Sequence, residues 1–206
     1  KNKIHIWLSL ISCCLISFSS ISLNAATRID LSETVNSQAN NGANDLNSIE
    51  NNLKLWLDAK NINATNNAGI SDNDLIGVWL DLSGNNNDAI RTTENSRGKF
   101  VSANQSVSFD GTNDRYDIKN VTTNVALTYE TSYTVIMVES RTTNKNGNYF
   151  FGQNGKANTN QNIHLGYRST TALTMAHWNN DQASSAVRQM EGIDISVFRF
   201  EKNSNP

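Results

Sequence analysis

Between Asp81 and Asp88 the chain reads Asp-Leu-Ser-Gly-Asn-Asn-Asn-Asp, which gathers the side-chain oxygens of Asp81, Asn85, Asn87 and Asp88 on one tight turn. A hard cation such as calcium takes roughly six to eight oxygen ligands, and such a donor set would suit it. Asp110 and Asp114, in Asp-Gly-Thr-Asn-Asp, make a second oxygen-rich cluster. Both stretches have an equally physical structural reading. Asp and Ser side chains bond nearby backbone amides, Gly84 supplies a positive φ, and Asp-Gly is a strong hairpin dipeptide. The spacing does not follow the Asp-x-Asp-x-Asp-Gly order of an EF-hand loop.

A third constellation mixes aromatic and polar groups: Tyr149, Phe150 and Phe151, then His164 and Tyr167, then His177, Trp178, Asn179, Asn180 and Asp181. Sugars are held by an aromatic ring against their apolar face, with amides and carboxylates on the hydroxyls. The run His177 to Asp181, with Tyr167, has both parts and is the expected ligand-contacting edge. The alternative is Trp178 in a core and Asn179 to Asp181 in a turn. Catalytic signatures are missing: there is no His-Glu-x-x-His, no Gly-x-Ser-x-Gly and no phosphate-cradling glycine loop.

These groups need a scaffold, and the N-terminus bears on its compartment. Lys1 and Lys3 precede an apolar, Ser-rich run from Ile4 to Leu23, followed by Asn24, Ala25 and Ala26. This is the pattern of a secretory signal peptide over residues 1–26; a membrane anchor, or a lipoprotein signal around Cys13, is the alternative. Cys13 and Cys14 are the only cysteines. A mature chain would therefore carry no thiol, excluding disulfides, thiolate catalysis and zinc–thiolate sites. Without Lys1 and Lys3, 15 Lys and Arg face 19 Asp and Glu, a net charge of −4. That balance offers no basic footprint for nucleic acid or anionic membrane.

Asparagine is the compositional outlier, 33 of 206 residues, and the sole proline is Pro206. Asn-rich stretches such as Asn61 to Asn67, Asn85 to Asn87 and Asn144 to Asn148 read as turns. Residues 27–52 are polar and aperiodic, a linker with one short helix at Asp45 to Asn52. From Leu53 onward, strand signals recur: Leu53 to Asp58, Ile76 to Leu82, Ala89 to Thr92, Ser106 to Phe109, Arg115 to Ile118, Tyr133 to Ser140, Tyr149 to Gly152, Asn162 to Tyr167, Ala172 to Trp178 and Ile193 to Phe200. Tyr133 to Val138 is almost continuously apolar, as a central strand covered on both faces would be. Ile193, Ile195 and Val197 alternate with Asp194 and Ser196, the pattern of a half-exposed strand. The expected fold is all-β, an antiparallel β-sandwich.

Three segments, Leu53 to Ala59 (LKLWLDA), Val78 to Ala89 (VWLDLSGNNNDA) and Val107 to Ile118 (VSFDGTNDRYDI), each set an apolar strand before an Asp and a Gly/Asn turn. In this order and spacing they resemble the laminin-G-like, concanavalin A-type jelly rolls of bacterial secreted and surface proteins. The resemblance covers residues 53–206 and implies a further strand beyond Phe200, so the domain is expected to be incomplete and followed by further domains of the same polypeptide. Glucanases of that superfamily carry Glu-x-Asp-x-x-Glu on one strand; Glu191 to Asp194 has neither the spacing nor the second glutamate. The expectation is a non-catalytic module, secreted or at the cell surface, with no membrane insertion after signal cleavage. It would bind carbohydrate or a glycosylated surface, with calcium the cation its Asp/Asn loops would suit. A structural spacer, or an accessory module of a polysaccharide-degrading enzyme, is the alternative.

Overall fold

The computed structural model describes residues 4–10, 52–120, 127, 131–152, 159, 163–170, 172–177, 179–184 and 190–202. The expected linker and its short helix lie outside these residues except for Asn52, as do residues 1–3 and 11–26 of the expected leader and Trp178. The described chain is all-β, in thirteen strands: β1 (Ile4–Leu10), β2 (Trp56–Leu57), β3 (Val78–Trp79), β4 (Ala89–Ile90), β5 (Lys99–Val101), β6 (Ser106–Phe109), β7 (Asp117–Ile118), β8 (Tyr133–Arg141), β9 (Asn148–Gly152), β10 (Ile163–Tyr167), β11 (Leu173–His177), β12 (Asp181–Ser184) and β13 (Ile193–Phe200). Among the described residues no helix is long and apolar enough to cross a membrane.

All strand pairings are antiparallel and fall into three sheets. One runs β13-β8-β1-β6-β5 with β2 also on β1, a second runs β12-β11-β10-β9, and the smallest is β3-β4-β7. The expected strands before Ser106 are cut to two-residue pairs because Asn and Asp side chains turn the backbone on either side. Ile62 N–H donates to Asn67 Oδ1 (2.7 Å), Asn66 N–H to Asn61 Oδ1 (2.7 Å), and Asn67 Nδ2 to Ala59 O (2.9 Å). Asn66 and Asn67 take φ of 53° and 62°, the left-handed region Asn tolerates.

The core collects from all three sheets, including Leu55, Trp79, Val107, Val135, Met137, Leu165, Tyr167 and Phe198. Strand β8 is central, between β13 and β1. Its residues alternate nonetheless: Tyr133, Val135, Met137, Glu139 and Arg141 are buried while Thr134, Ile136, Val138 and Ser140 are only half-buried. The continuous apolar run thus reflects one fully buried face and one partly covered face.

On β13 the parity is the reverse of a simple amphipathic reading. Ile193, Ile195 and Val197 face outward at 78%, 56% and 61% exposure, while Ser196 and Phe198 are buried. The aromatic row decides it. Phe198 meets Phe150 of β9 (ring centroids 6.2 Å apart) and Phe200 stacks on Tyr133 (5.5 Å), and period-two geometry then turns the aliphatic row to solvent.

Candidate functional site

The loop from Asp81 to Asp88 is built as a staple. Asp81 Oδ1 accepts from the N–H groups of Trp56 and Ser83 (both 2.9 Å), and Oδ2 from Ser83 Oγ (2.8 Å) and Asn87 N–H (2.9 Å). Asn85 and Asn87 donate through Nδ2 to Leu53 O and Lys54 O, each at 2.7 Å, and Asp88 Oδ1 accepts from Asp81 N–H at 3.0 Å. These oxygens and amides, expected as cation ligands, tie the loop to the segment before β2.

Asp110 and Asp114 lie in a different turn and cap one another. Asp110 Oδ1 accepts from the N–H groups of Thr112, Asn113 and Asp114, and Asp114 Oδ2 accepts from Asp110 N–H at 2.9 Å. Burial pushes the Asp110 carboxyl up, but those three amides and the Lys145 ammonium outweigh it and hold it below the usual aspartate value. Burial, with the Asp110 charge, raises Asp114 above that value. Among the described residues no group of three or more His, Cys, Asp or Glu could hold a metal ion. Because a ligand that binds only the folded state must raise the melting temperature, a rise with millimolar calcium that a chelator reverses would place a cation on these loops, and an unmoved melting temperature would leave their carboxylates to the backbone hydrogen bonds alone.

The expected ligand edge divides. Tyr167 and His177 are core residues, 0% and 2% exposed. Tyr167 O–H donates to Glu139 Oε1 (2.6 Å) and its ring lies 3.4 Å below the Arg141 guanidinium carbon. His177 Nε2 is 2.6 Å from Tyr133 Oη, and its ring centroid is 4.5 Å from that of Phe200. Inner-face parity explains both: Ile163, Leu165 and Tyr167 share one side of β10, and Ile163 pairs directly with His177. Both side chains therefore face the core, not the surface edge at which the sequence places a ligand.

The buried His177 has a pH consequence. Burial is the main influence and pushes its pKa below the ordinary 6.5, against a smaller upward pull from Asp181 and a further lowering by His164. A folded-state pKa below the unfolded one means the unfolded chain binds more protons, so stability rises with pH across that interval. The urea midpoint is therefore expected to fall as pH drops from 7.5 to 5.5, the loss setting in near 6.5, and His177→Gln should flatten the slope. An unchanged slope in the variant would show that His177 is not the group responsible.

Asn179, Asn180 and Asp181 remain near the surface, and the outer face of the β9–β12 sheet assembles other polar groups beside Asp181. Tyr149, 40% exposed, meets the His164 ring edge-on at 4.9 Å between centroids. Arg168 Nη2 is 3.0 Å from His164 Nε2, and Nη1 pairs with Asp181 Oδ2. A guanidinium can only donate, so that geometry makes Nε2 the acceptor and places the ring proton on Nδ1. Asp181 Oδ1 is buried without a hydrogen-bond partner among the described residues. Asn179, at φ 65°, donates to Thr159 Oγ1 at 3.2 Å.

A bulge gives this face its shape. The β9–β10 register shifts between Leu165 and Gly166, leaving Phe150 and Phe151 both packed against the core and Tyr149 opposite Gly166. Gly166 has φ +142°, and a Cβ there would lie 2.6 Å from Asn148 O and Tyr149 Cα, so no side chain is admissible beneath Tyr149. His164 and Asp181 belong to the aromatic and polar constellation legible in the sequence, whereas Arg168 does not stand out there. The useful signal was parity: an outward His164 four residues before Arg168 on the strand leading into the next turn. Comparison with family models, curated proteins and solved structures gives no match.

Proposed function

We propose that this chain is an exported, non-catalytic recognition module, an antiparallel β-sandwich of the laminin-G-like, concanavalin A-type jelly-roll class, that binds carbohydrate or a glycosylated surface. The observation that carries the reading is the outer face of the β9–β12 sheet. There an exposed tyrosine ring adjoins a chain of polar groups, His164, Arg168 and Asp181. Ring and directed polar groups together are what a sugar's apolar face and hydroxyls require. The two large sheets share one core through Tyr167 to Glu139, Tyr133 to His177 and Phe150 to Phe198, which supports a sandwich. The module needs no catalytic carboxylate: Glu139, 1% exposed, is out of reach of a polymer, and Asp181 is ion-paired.

A glycan array probed with the full chain tests this. Tyr149→Ala is expected to weaken any glycan bound by about tenfold, the value of one stacking contact, with little change in melting temperature because the ring is partly exposed. Trp56→Ala, at an exposed aromatic of the other large sheet, serves as the control and should leave affinity intact. Binding confined to insoluble polysaccharide would favour an accessory module of a polysaccharide-degrading enzyme. Silence across soluble and insoluble glycans would overturn recognition in favour of a structural spacer.

A further inference from the structure

Three residues stand in register across the outer face of the β9–β12 sheet: His164 of β10, Ala176 of β11 and Asp181 of β12. Neighbouring strands lie about 4.8 Å apart, so the backbones of the two polar residues are roughly 10 Å apart with only a methyl group between them. The Arg168 guanidinium closes that gap, giving Nη1 to Asp181 and Nη2 to His164 Nε2, the latter at 3.0 Å. Strand β9 brings Tyr149, whose ring is edge-on to the imidazole and which also engages the guanidinium. Strand β11 contributes only Ala176 and Thr174 on this side, opposite His164 and Gly166. Among the described residues, the charged and titratable groups facing the imidazole are thus Arg168, Asp181 and Tyr149. His177 lies on the inner face of β11, where a charge on His164 disfavours its protonation.

The two contacts of Arg168 differ in kind. Its ion pair with Asp181 lasts as long as the carboxylate is ionised, whereas the bond to His164 exists only while Nε2 keeps its lone pair. A guanidinium only donates and keeps its charge. Proton uptake at Nε2 therefore sets donor against donor and cation against cation across 3.0 Å, an arrangement that cannot hold. Imidazole is the side chain whose ordinary proton equilibrium falls between pH 5 and 8. An acceptor for the imidazolium is at hand in Asp181, whose Oδ1 is buried without a hydrogen-bond partner among the described residues.

We propose that His164 is a proton switch for this face. The neutral ring holds Arg168 across the gap to Asp181, with Tyr149 fixed beside it; the imidazolium, protonated from solvent, releases Arg168 and turns to Asp181 itself. As a control on sugar binding the switch rests on the recognition proposal; as an exchange of side-chain partners it stands without it. The control has a required sign. A glycan that binds the neutral arrangement binds about tenfold more weakly in acid and, by reciprocity, lowers the pH at which His164 takes up its proton.

Side-chain NMR of the full chain between pH 8 and 5 tests this, with wild type beside His164→Gln and His177→Gln. Glutamine offers Arg168 a carbonyl acceptor that does not titrate. At pH 8 the wild-type His164 ring is expected to show the Nδ1–H tautomer. On acidification the Arg168 guanidinium and Tyr149 ring signals should shift together, at the midpoint at which His164 itself titrates. Below that midpoint, Arg168 N–H exchange should be about tenfold or more faster than in His164→Gln at the same pH. His177→Gln should keep the transition and His164→Gln abolish it. An Nε2–H tautomer at pH 8, Arg168 and Tyr149 signals that ignore the His164 titration, or a transition surviving in His164→Gln overturns the switch. Should His164→Gln fail to fold, the wild-type tautomer and the coincidence of midpoints decide. Any glycan found on the array is then titrated at pH 7.5 and 5.5. Equal wild-type affinity at both overturns the control on binding, while silence of the array overturns recognition and leaves the switch to be decided by the NMR transition.

Discussion

Trp79→Ala is expected to cost about 3–5 kcal/mol, enough to unfold a marginal domain. The ring is 1% exposed and sits edge-on to Tyr116 with centroids 6.3 Å apart, while Tyr116 in turn meets Phe109 edge-on at 5.8 Å. Tyr116 Oη donates to Ile76 O (2.8 Å), and Trp79 Nε1 donates to Asp58 O (3.2 Å). Losing the indole therefore opens a cavity where the segment around β2, the β3–β4–β7 sheet and β6 converge. It also loosens the strand that delivers Asp81 to its four donors. Trp79→Phe keeps much of the apolar contact but strips Asp58 O of its donor, and should fall between Trp79→Ala and wild type. Val78→Ala, one residue earlier and 47% exposed, is the internal control and should shift stability by about 0.5 kcal/mol or less. Urea denaturation of the three variants reads the series, and a Trp79→Ala loss as small as that of Val78→Ala would remove Trp79 from the core.

Trp79 and its Asp81 were among the most legible parts of the chain, because an apolar strand followed by Asp and a Gly/Asn turn has a local physical meaning. Gly84 and Asn86 do take positive φ, 83° and 56°, and the Asp side chains do bond backbone. What the sequence left open was whether their oxygens also serve a cation, since donors such as Trp56 N–H arrive from 25 residues away. Strand β12, Asp-Gln-Ala-Ser, was not legible: it has no β-branched or aromatic residue and exists because β11 offers a pairing edge. Strand β1 was hidden for another reason, since an apolar leader and an apolar strand share a composition. The buried ends of the ligand edge, Tyr167 and His177, could have been found by parity, because both lie in step with apolar residues of their own strands. Glu139 and Arg141 follow the same rule, continuing the Tyr133, Val135, Met137 row, but a strand reading that stops at Ser140 treats the charged end as an exit to solvent.

That charged end should give the second large effect. Arg141→Met is expected to destabilise the domain by about 1–3 kcal/mol, because the buried guanidinium over the Tyr167 ring is lost. The two side chains sit two residues apart on one face of β8, each 1% exposed, and both engage Tyr167, whose hydroxyl donates to Glu139 and whose ring carries the Arg141 guanidinium. Methionine keeps much of the length and apolar contact, so the loss reports charge more than volume. A double-mutant cycle of Arg141→Met with Tyr167→Leu measures the coupling between the guanidinium and the ring. A coupling indistinguishable from zero would mean that Arg141 acts through its packing volume and not through its charge over the Tyr167 ring.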